Sequence, residues 1–298
     1  MTKEFQINKE IKAYKFLMQE FDIKMKDAQK WIDKKRVYLD DEIVNIKNAN
    51  LLGTAKVIFF KSEPSGIKPI FETEDFVVFD KPSGVLVHPN KLSGEYSLND
   101  DIKFLFGTDA NAVHRIDKET SGLVLVAKNK KSEIELKNLF EKREIKKEYL
   151  AIVRGKIKQN LTIEKNLKSD IPSSLIRIKS HVRDDGQKAV TKIEVVEYLE
   201  DENLTLIKAK PITGRTHQIR AHMFHVKHPI LGDPIYGVDE VDADIFLSRK
   251  MSNSKRVKIT GAKRLMLHAN FLSFKYKSIE YNIQSKIDFK KEANHENN

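Results

Sequence analysis

Three segments of this 298-residue chain carry side chains whose types and spacing could do chemistry. The first is VHRIDKETSGLVLVAK, residues 113–128, where a polar stretch runs straight into an apolar strand. That arrangement presents Asp117 on a loop held by a rigid sheet, a usual station for a reactive group. Arg115, two residues away, points to the same side if the segment is extended. The same residues also suit a plain surface turn with Asp117 and Thr120 as caps. The second segment is PITGRTHQIRAHMFHVKHPILGDPIYG, residues 211–237. His217 and Arg220 are three apart and share a helical face, which could deliver a guanidinium into a cleft. His222 and His225 also sit at i, i+3, so a metal site competes there with capping and packing. No acidic residue completes an HExxH pattern, and open catalytic metal sites usually need three protein ligands, so no metal is expected. The third segment is EIKKEYLAIVRG, residues 144–155, where Tyr149 begins a strand just after Lys146 and Lys147. An aromatic ring beside a basic cluster can stack on a nucleobase; it is equally an ordinary strand-edge tyrosine.

Periodicity gives the elements that must position these residues. Residues 1–62 read as a small separate unit. Ile11, Tyr14, Met18 and Phe21 fall at near-helical spacing, and a second short helix carries Ala28, Trp31 and Ile32. Val37 and Leu39 alternate as in a strand, and Gly53 precedes the apolar run at 57–60. Lys24, Lys26, Lys30, Lys34, Lys35 and Arg36 are interleaved; they form a basic face that could cradle an RNA backbone, or a merely solvated one. Pro, Ser and Gly gather around residues 63–69, which read as a linker. Beyond it, the apolar runs at 76–80 and 85–89 predict short strands around the turn KPSG. The run at 123–127 is apolar on consecutive positions and predicts a strand buried on both faces. Ser132 with Glu135 predicts a capping box before a helix that buries Leu136, Leu139 and Phe140. Further strands are expected at 149–153 and on either side of an acidic turn at 200–202. Thr216 is expected to cap a helix that buries Ile219, Met223 and Val226. Strands and helices mix without regular βαβ alternation, which predicts an α+β domain with a mostly antiparallel sheet over residues 70–283. Residues 284–298 are polar and expected to fray.

Composition narrows the partners. Lys plus Arg number 54 against 43 for Asp plus Glu, a net charge of +11. That balance suits a polyanion, because each phosphate contact releases counterions. Cysteine is absent, which excludes disulfides, thiolate nucleophiles and Cys-based zinc sites. The first residues carry no uninterrupted apolar core of a secretory signal, and no stretch approaches the roughly 20 apolar residues that span a bilayer. A cytoplasmic protein without membrane contact is expected.

In order along the chain, His114-Arg115-Ile116-Asp117 leads to Thr120-Ser121-Gly122. Lys147-Glu148-Tyr149-Leu150-Ala151 follows, then Gly-Arg-Thr-His-Gln-Ile-Arg at 214–220 and His228-Pro229-Ile230-Leu231-Gly232-Asp233. Weaker features are Lys81-Pro82-Ser83-Gly84 with Val87-His88-Pro89, Lys188-Ala189 with Thr191, and Leu267-His268-Ala269. This set resembles the large-subunit ribosomal RNA pseudouridine synthases of the RluA type, over roughly residues 70–282. Ile116 departs from the family's Leu, and Lys227 stands where glycine is usual. Residues 1–62 resemble the small S4 RNA-binding domain, with Lys35 or Arg36 in place of a glycine and Asp40-Asp41 where Asn-Gly is common.

The resemblance implies a pseudouridine synthase fold: a mixed, mostly antiparallel central sheet flanked by helices around a central cleft, plus a small S4-like α/β unit. It implies an enzyme that breaks the C1′–N1 bond of a uridine, turns the base and rejoins it through C5. Nothing is oxidised or hydrolysed, so no cofactor is expected. The resemblance assigns the essential carboxylate to Asp117, acting on the sugar as a nucleophile or, the preferred route, removing a C2′ proton on the way to a glycal. Arg220 would pair with Asp117, since a guanidinium favours the charged form of a carboxylate. Tyr149 would stack on the target base. Arg115 would fill the space left by the flipped nucleotide, whose extrusion costs roughly a few kcal/mol. Ile219 would line the pocket, and His114, Arg215 and His217 would stand on the substrate side. The expected partner is RNA, 23S ribosomal RNA first and transfer RNA as the alternative, bound by a monomer. Two rivals remain at this point: a non-catalytic RNA-binding protein of ribosome assembly, and a metal-dependent phosphoesterase built on the histidines. The intact set of Asp117, Tyr149 and Arg220 argues against the first, and activity surviving a chelator would dismiss the second.

Overall fold

The computed structural model describes residues 2–59, 64–89, 95–169, 174 and 176–291. They form two compact units, residues 2–59 and the remainder. In the small unit, strand β1 (Thr2–Lys12) leads to helices α1 (Ala13–Phe21) and α2 (Met25–Asp33), then β2 (Val37–Leu39), β3 (Glu42–Ile43) and β4 (Asn50–Ile58). The sheet order is β1-β4-β2-β3. The helices bury Phe16, Leu17, Ala28 and Ile32 against Leu51, Ala55 and Val57 of β4. Strand β1 is the element that periodicity did not show, because Lys and Glu alternate along it and Ile7 is its one buried residue. Ile11, expected on a helix, belongs to its end. Gly53 lies inside β4, and Phe60 of the expected run is outside the described residues. Lys24, Lys26, Lys30, Lys34 and Lys35 are exposed, Lys30 pairing with Asp27 at 3.3 Å. Arg36 is partly buried, which lowers its pKa.

Three positions where the resemblances lead one to expect glycine share a physical trait. Lys35 (φ 54°), Asp41 (φ 67°) and Lys227 (φ 69°) all hold the left-handed conformation that glycine adopts without penalty. At the β2–β3 turn, Asp40 shares this conformation (φ 48°), and its carboxylate accepts the Thr54 N–H at 3.0 Å.

The large unit runs β5 (Pro69–Glu72), β6 (Phe76–Lys81), α3 (Leu98–Phe106), β7 (Asn111–Ala112), β8 (Ser121–Ala127), α4 (Lys130–Glu141), β9 (Lys146–Arg154) and β10 (Leu161–Glu164). It continues with β11 (Leu167–Lys168), β12 (His181–Val182), β13 (Val190–Leu199), β14 (Leu204–Pro211), α5 (Gln218–His225), α6 (Glu240–Leu247), α7 (Asn253–Thr260), β15 (Leu267–Tyr276) and β16 (Ile279–Gln284). Ten of these strands form one large sheet in the order β10-β13-β14-β9-β15-β8-β6-β5, with β16 on β15 and β7 on β8, while β11 and β12 pair separately. Its pairings are antiparallel except β8 with β15, which gives the mixed, mostly antiparallel α+β architecture expected. The apolar run of β8 is buried throughout. Leu123, Leu125 and Ala127 enter one core with Leu136 of α4, while Val124 and Val126 enter another with Ile102 of α3.

Several local expectations fail for identifiable reasons. Residues 85–89 make only an isolated bridge from Leu86 to Ser97, not a strand. Ser132 is not the cap of α4; Asn129 is, accepting the Ser132 N–H at 3.0 Å, and Glu135 instead accepts the Tyr276 hydroxyl. Thr216 does not cap α5, whose N-cap is His217. Helices α6 and α7 were not foreseen. The chain remains packed beyond residue 284, because Phe289 is buried in the β9–β14 core and stacks on His268; residues 292–298 lie outside the described residues. Glu63 of the expected linker also lies outside them, while Ser65 and Gly66 hydrogen-bond Asp101. Among the described residues no helix is long and apolar enough to cross a membrane.

The one parallel pairing decides where the reactive loop ends. Gly122 (φ 111°) sits so close to β15 that a Cβ would lie 2.3 Å from the Ala269 carbonyl oxygen. Gly122→Ala is therefore expected to cost at least about 3 kcal/mol, through backbone strain and overpacking together. Urea unfolding checks this, and a variant within about 0.5 kcal/mol of the parent would contradict the close approach.

Candidate active site

The loop between β7 and β8 is pinned at both ends before it presents anything. At its start, the Val113 N–H donates to Leu125 O at 3.0 Å, and His114 Nε2 accepts the Leu125 N–H at 3.0 Å. The His114 ring also lies stacked on Phe140, with centroids 4.5 Å apart. At its end, the Thr120 N–H donates to Asp117 O at 3.2 Å, a turn closed by backbone alone. This leaves the Asp117 side chain, 25% exposed, free to face a cavity of about 1070 Å³.

The opposite wall comes from the segment between β14 and α5. Gln218 shapes it: its side-chain carbonyl accepts from the Thr213 hydroxyl (2.6 Å) and the Arg215 N–H (3.0 Å), while its amide donates to Val190 O and the Thr191 hydroxyl. Those bonds hold His217 in a left-handed conformation (φ 54°) at the helix start. The helix then delivers Arg220, which is 2% exposed. Its Nε and Nη2 donate to the two oxygens of Asp233 at 2.7 and 2.8 Å, a bidentate pair, and Nη1 donates to Asp117 Oδ2 at 3.3 Å. Asp233 Oδ1 also accepts the N–H groups of Ile235 and Tyr236 at 2.9 and 3.0 Å. The guanidinium lies over the Tyr236 ring at 5.1 Å. Burial alone would lower the pKa of Arg220 and raise that of Asp233. Their mutual attraction overrides both, so Arg220 is raised and Asp233 lowered, and both are charged.

Tyr149 of β9 stands between these walls. Its cross-strand neighbours are Ala209 and Ala269, small enough to leave the ring room, and it packs against both cores that meet beneath the cavity. Its hydroxyl has no hydrogen-bond partner among the described residues, and burial, with Asp117 adding to it, raises its pKa and keeps it protonated. His217 Nε2 lies 3.8 Å from Asp117 Oδ2. Burial, then Arg220, lower its pKa to about 4, so the imidazole is neutral at pH 7. Arg115 is exposed, Arg215 half-buried and Ile219 buried, and all three line the cavity. All eight residues expected at the site therefore line one cavity: His114, Arg115, Asp117, Tyr149, Arg215, His217, Ile219 and Arg220. The six basic residues of the small unit are elsewhere in sequence and unit. Arg143, Lys192 and Lys210 also line the cavity and join Lys146 and Lys147 in a basic rim.

Sequence reasoning took Asp233 only for part of a turn. A signal existed: an acidic residue among Ile230, Leu231 and Ile235 needs a buried cation, and Arg220 is the one in the neighbouring apolar helix. Of the paired histidines, His222 is committed on both nitrogens, Nδ1 to the Thr191 hydroxyl and Nε2 to Lys165 O. Its environment is that of a packed core residue.

Three of the imidazoles in this unit give a pH prediction. Burial, the largest cause in each case, lowers the pKa of His114 to about 3 and those of His217 and His268 to about 4. Unfolded, each titrates near pH 6.5. Between these values the unfolded chain binds more protons, so stability falls as pH drops from about 6.5 towards 4, by up to about 1.4 kcal/mol per pH unit for each histidine. Urea midpoints at pH 7, 5.5 and 4.5 test this; a flat profile would contradict it.

Comparison with known proteins agrees with this geometry. Residues 75–225 match the family described as RNA pseudouridylate synthase. An uncharacterized RNA pseudouridine synthase of Helicobacter pylori strain J99 is 36% identical over 96% of this chain and 95% of its own length, so the likeness extends through the small unit. The mitochondrial tRNA pseudouridine(32) synthase of Saccharomyces cerevisiae is 36% identical over 70% of this chain and 46% of its own. Ribosomal large subunit pseudouridine synthase D of Xanthomonas campestris is 34% identical over 69% of this chain and 60% of its own. Among solved structures, human RNA pseudouridylate synthase domain containing 1 shares the fold, with a TM-score of 0.59 and 24% identity over 76% of this chain and 86% of that one. A family match across half of the chain and a relative aligned almost end to end lead to one conclusion: this chain belongs to the RNA pseudouridylate synthase family and is an RNA pseudouridine synthase, an isomerase.

Proposed function

We propose that Asp117 is the catalytic carboxylate of this isomerase and that large-subunit ribosomal RNA is its substrate. One observation carries the assignment: Asp117 lines the cavity and holds one oxygen against the buried Arg220 at 3.3 Å, while its other oxygen has no hydrogen-bond partner among the described residues. A flipped uridine enters with its base on Tyr149 and its sugar at Asp117. The free oxygen takes the C2′ proton as the C1′–N1 bond breaks, leaving a glycal and a uracil anion. After the base turns, C5 bonds to C1′ as Asp117 returns the proton to C2′, and the C5 proton leaves to solvent while N1 takes one up from it. Arg115 is exposed, lines the cavity and has no ion pair among the described residues, which suits it to occupy the stack that the uridine vacates. Half-buried Arg215 lines the same cavity, with the basic rim to hold phosphates. His114 acts through the loop it pins, and neutral His217 adds no charge to Asp117.

Ribosomal RNA is supported by the name of the Xanthomonas relative and by the basic, S4-like small unit, whose Lys24, Lys26, Lys34 and Lys35 are exposed. Transfer RNA is the second reading, favoured by the yeast relative. Mapping pseudouridines in both RNA classes, from cells with and without this protein, separates them. Sites lost only from transfer RNA would overturn the ribosomal assignment.

A further inference from the structure

The ion pair at the cavity floor is assembled from two separate turns. One is the loop before β8, which carries Asp117; the other is the turn at Gly232, which carries Asp233 and so fixes Arg220. Reacting groups must be held to within about an ångström, since a displacement of that size can cost about 100-fold in rate. The side chain that reaches both turns comes from α7. Arg256 Nη2 donates to Glu119 Oε2 at 2.7 Å and to Gly232 O at 3.4 Å. Glu119 is two residues after Asp117, and Gly232 immediately precedes Asp233.

The surroundings stiffen this bridge. Arg256 and Glu119 are each 12% exposed, so solvent screens their attraction little. The guanidinium lies over the Phe246 ring of α6 at 4.9 Å. Thr260, at the end of the same helix, accepts the Gly232 N–H at 3.0 Å. Gly232 in turn is pressed so tightly on Arg264 that a Cβ would lie 1.8 Å from its carbonyl oxygen. Helix α7 therefore grips the Gly232 turn by its last turn of backbone and reaches across to the Asp117 loop by one side chain. Arg256 is not among the residues lining the cavity, so its loss changes no group that faces the substrate.

We propose that Arg256 is a positioning residue for the isomerisation, setting the distance between Asp117 and the Arg220–Asp233 pair by bridging Glu119 and Gly232. The proposal rests on the reading of Asp117 and Arg220 as the working ion pair. The test uses the full chain in excess over [5-³H]uridine-labelled total RNA from cells lacking this protein, which contains whichever RNA class is the substrate. Tritium release gives the rate constant at saturation and the half-saturating protein concentration. Arg256→Gln is expected to lower the rate constant about tenfold or more, with half-saturation within about twofold. Arg256→Lys should recover part of the loss, because an ammonium still pairs with Glu119. Glu119→Gln should fall by a similar factor, and the double variant no further, since both break one bridge. Glu119→Gln also carries the test if Arg256→Gln does not fold, because Arg256 keeps its contacts with Gly232 and Phe246. Unchanged rate constants in both single variants would overturn the proposal. So would losses that multiply in the double variant, or a loss expressed as weaker half-saturation. Asp117→Asn is run beside them: normal turnover there would sink the underlying reading of the ion pair, whatever Arg256 does.

Discussion

Asp117→Asn should bind RNA as the parent does and release no tritium from [5-³H]uridine above background, a loss of at least about 1000-fold in rate. Asparagine fits the same space and still offers Arg220 an oxygen, so the cavity keeps its shape. What disappears is the negative charge and the ability to take a proton, which the proposed C2′ step needs. The side chain is 25% exposed and outside the apolar cores, so the stability change should stay within about 1 kcal/mol. The substitution leaves every Lys and Arg in place, so RNA affinity should be unchanged and should fall with salt in both proteins alike. A filter-binding curve superposed on the parent's, beside a flat tritium-release trace, is the expected pair of results. Measurable turnover would move the chemistry to another residue. Weakened binding in step with lost turnover would show that Asp117 had been holding RNA or the fold instead.

The residues behind that prediction were legible because chemistry concentrates in short segments whose order along the chain can be read. The apolar run at 123–127 announced a strand buried on both faces, and β8 feeds alternate side chains into two cores. What periodicity could not show was anything set by contacts distant in sequence. Ser132 with Glu135 has the spacing of a capping box, but Asn129 lies three residues before Ser132 and takes the cap, and Glu135 goes to Tyr276. Thr216 has a capping hydroxyl, but Gln218 satisfies the Arg215 N–H from within the helix and forces His217 into the cap position. Helices α6 and α7 carry few buried residues, Ala243 and Thr260, so they have no apolar stripe to betray them. What α7 adds near the site is one side chain, Arg256, whose partners are 137 and 24 residues away, and the Thr260 carbonyl that holds the Gly232 N–H. Asp233 is a similar case, hidden in a turn motif that looks complete without a cation.

Asp233→Asn should differ from Asp117→Asn in stability: a large loss of stability together with a loss of rate. Asp233 is wholly buried, and its partner Arg220 is 2% exposed. Removing one charge leaves a guanidinium in the interior with only the more distant Asp117 to balance it, and breaking a buried pair this way typically costs about 3–5 kcal/mol. The asparagine can still accept from the Ile235 and Tyr236 N–H groups, so the turn itself is retained and the penalty is chiefly electrostatic. The freed Arg220 has one carboxylate left within reach, at 3.3 Å, and should shift towards it. That shift puts Asp117 under a stronger hold and draws it off the sugar, so turnover should fall by about 100-fold or more in the fraction that remains folded. Urea unfolding and single-turnover tritium release on the same preparation measure the two losses separately. Stability near the parent's would mean that Arg220 is compensated elsewhere. Full activity in the folded fraction would mean that Arg220 needs no second carboxylate to stand where Asp117 requires it.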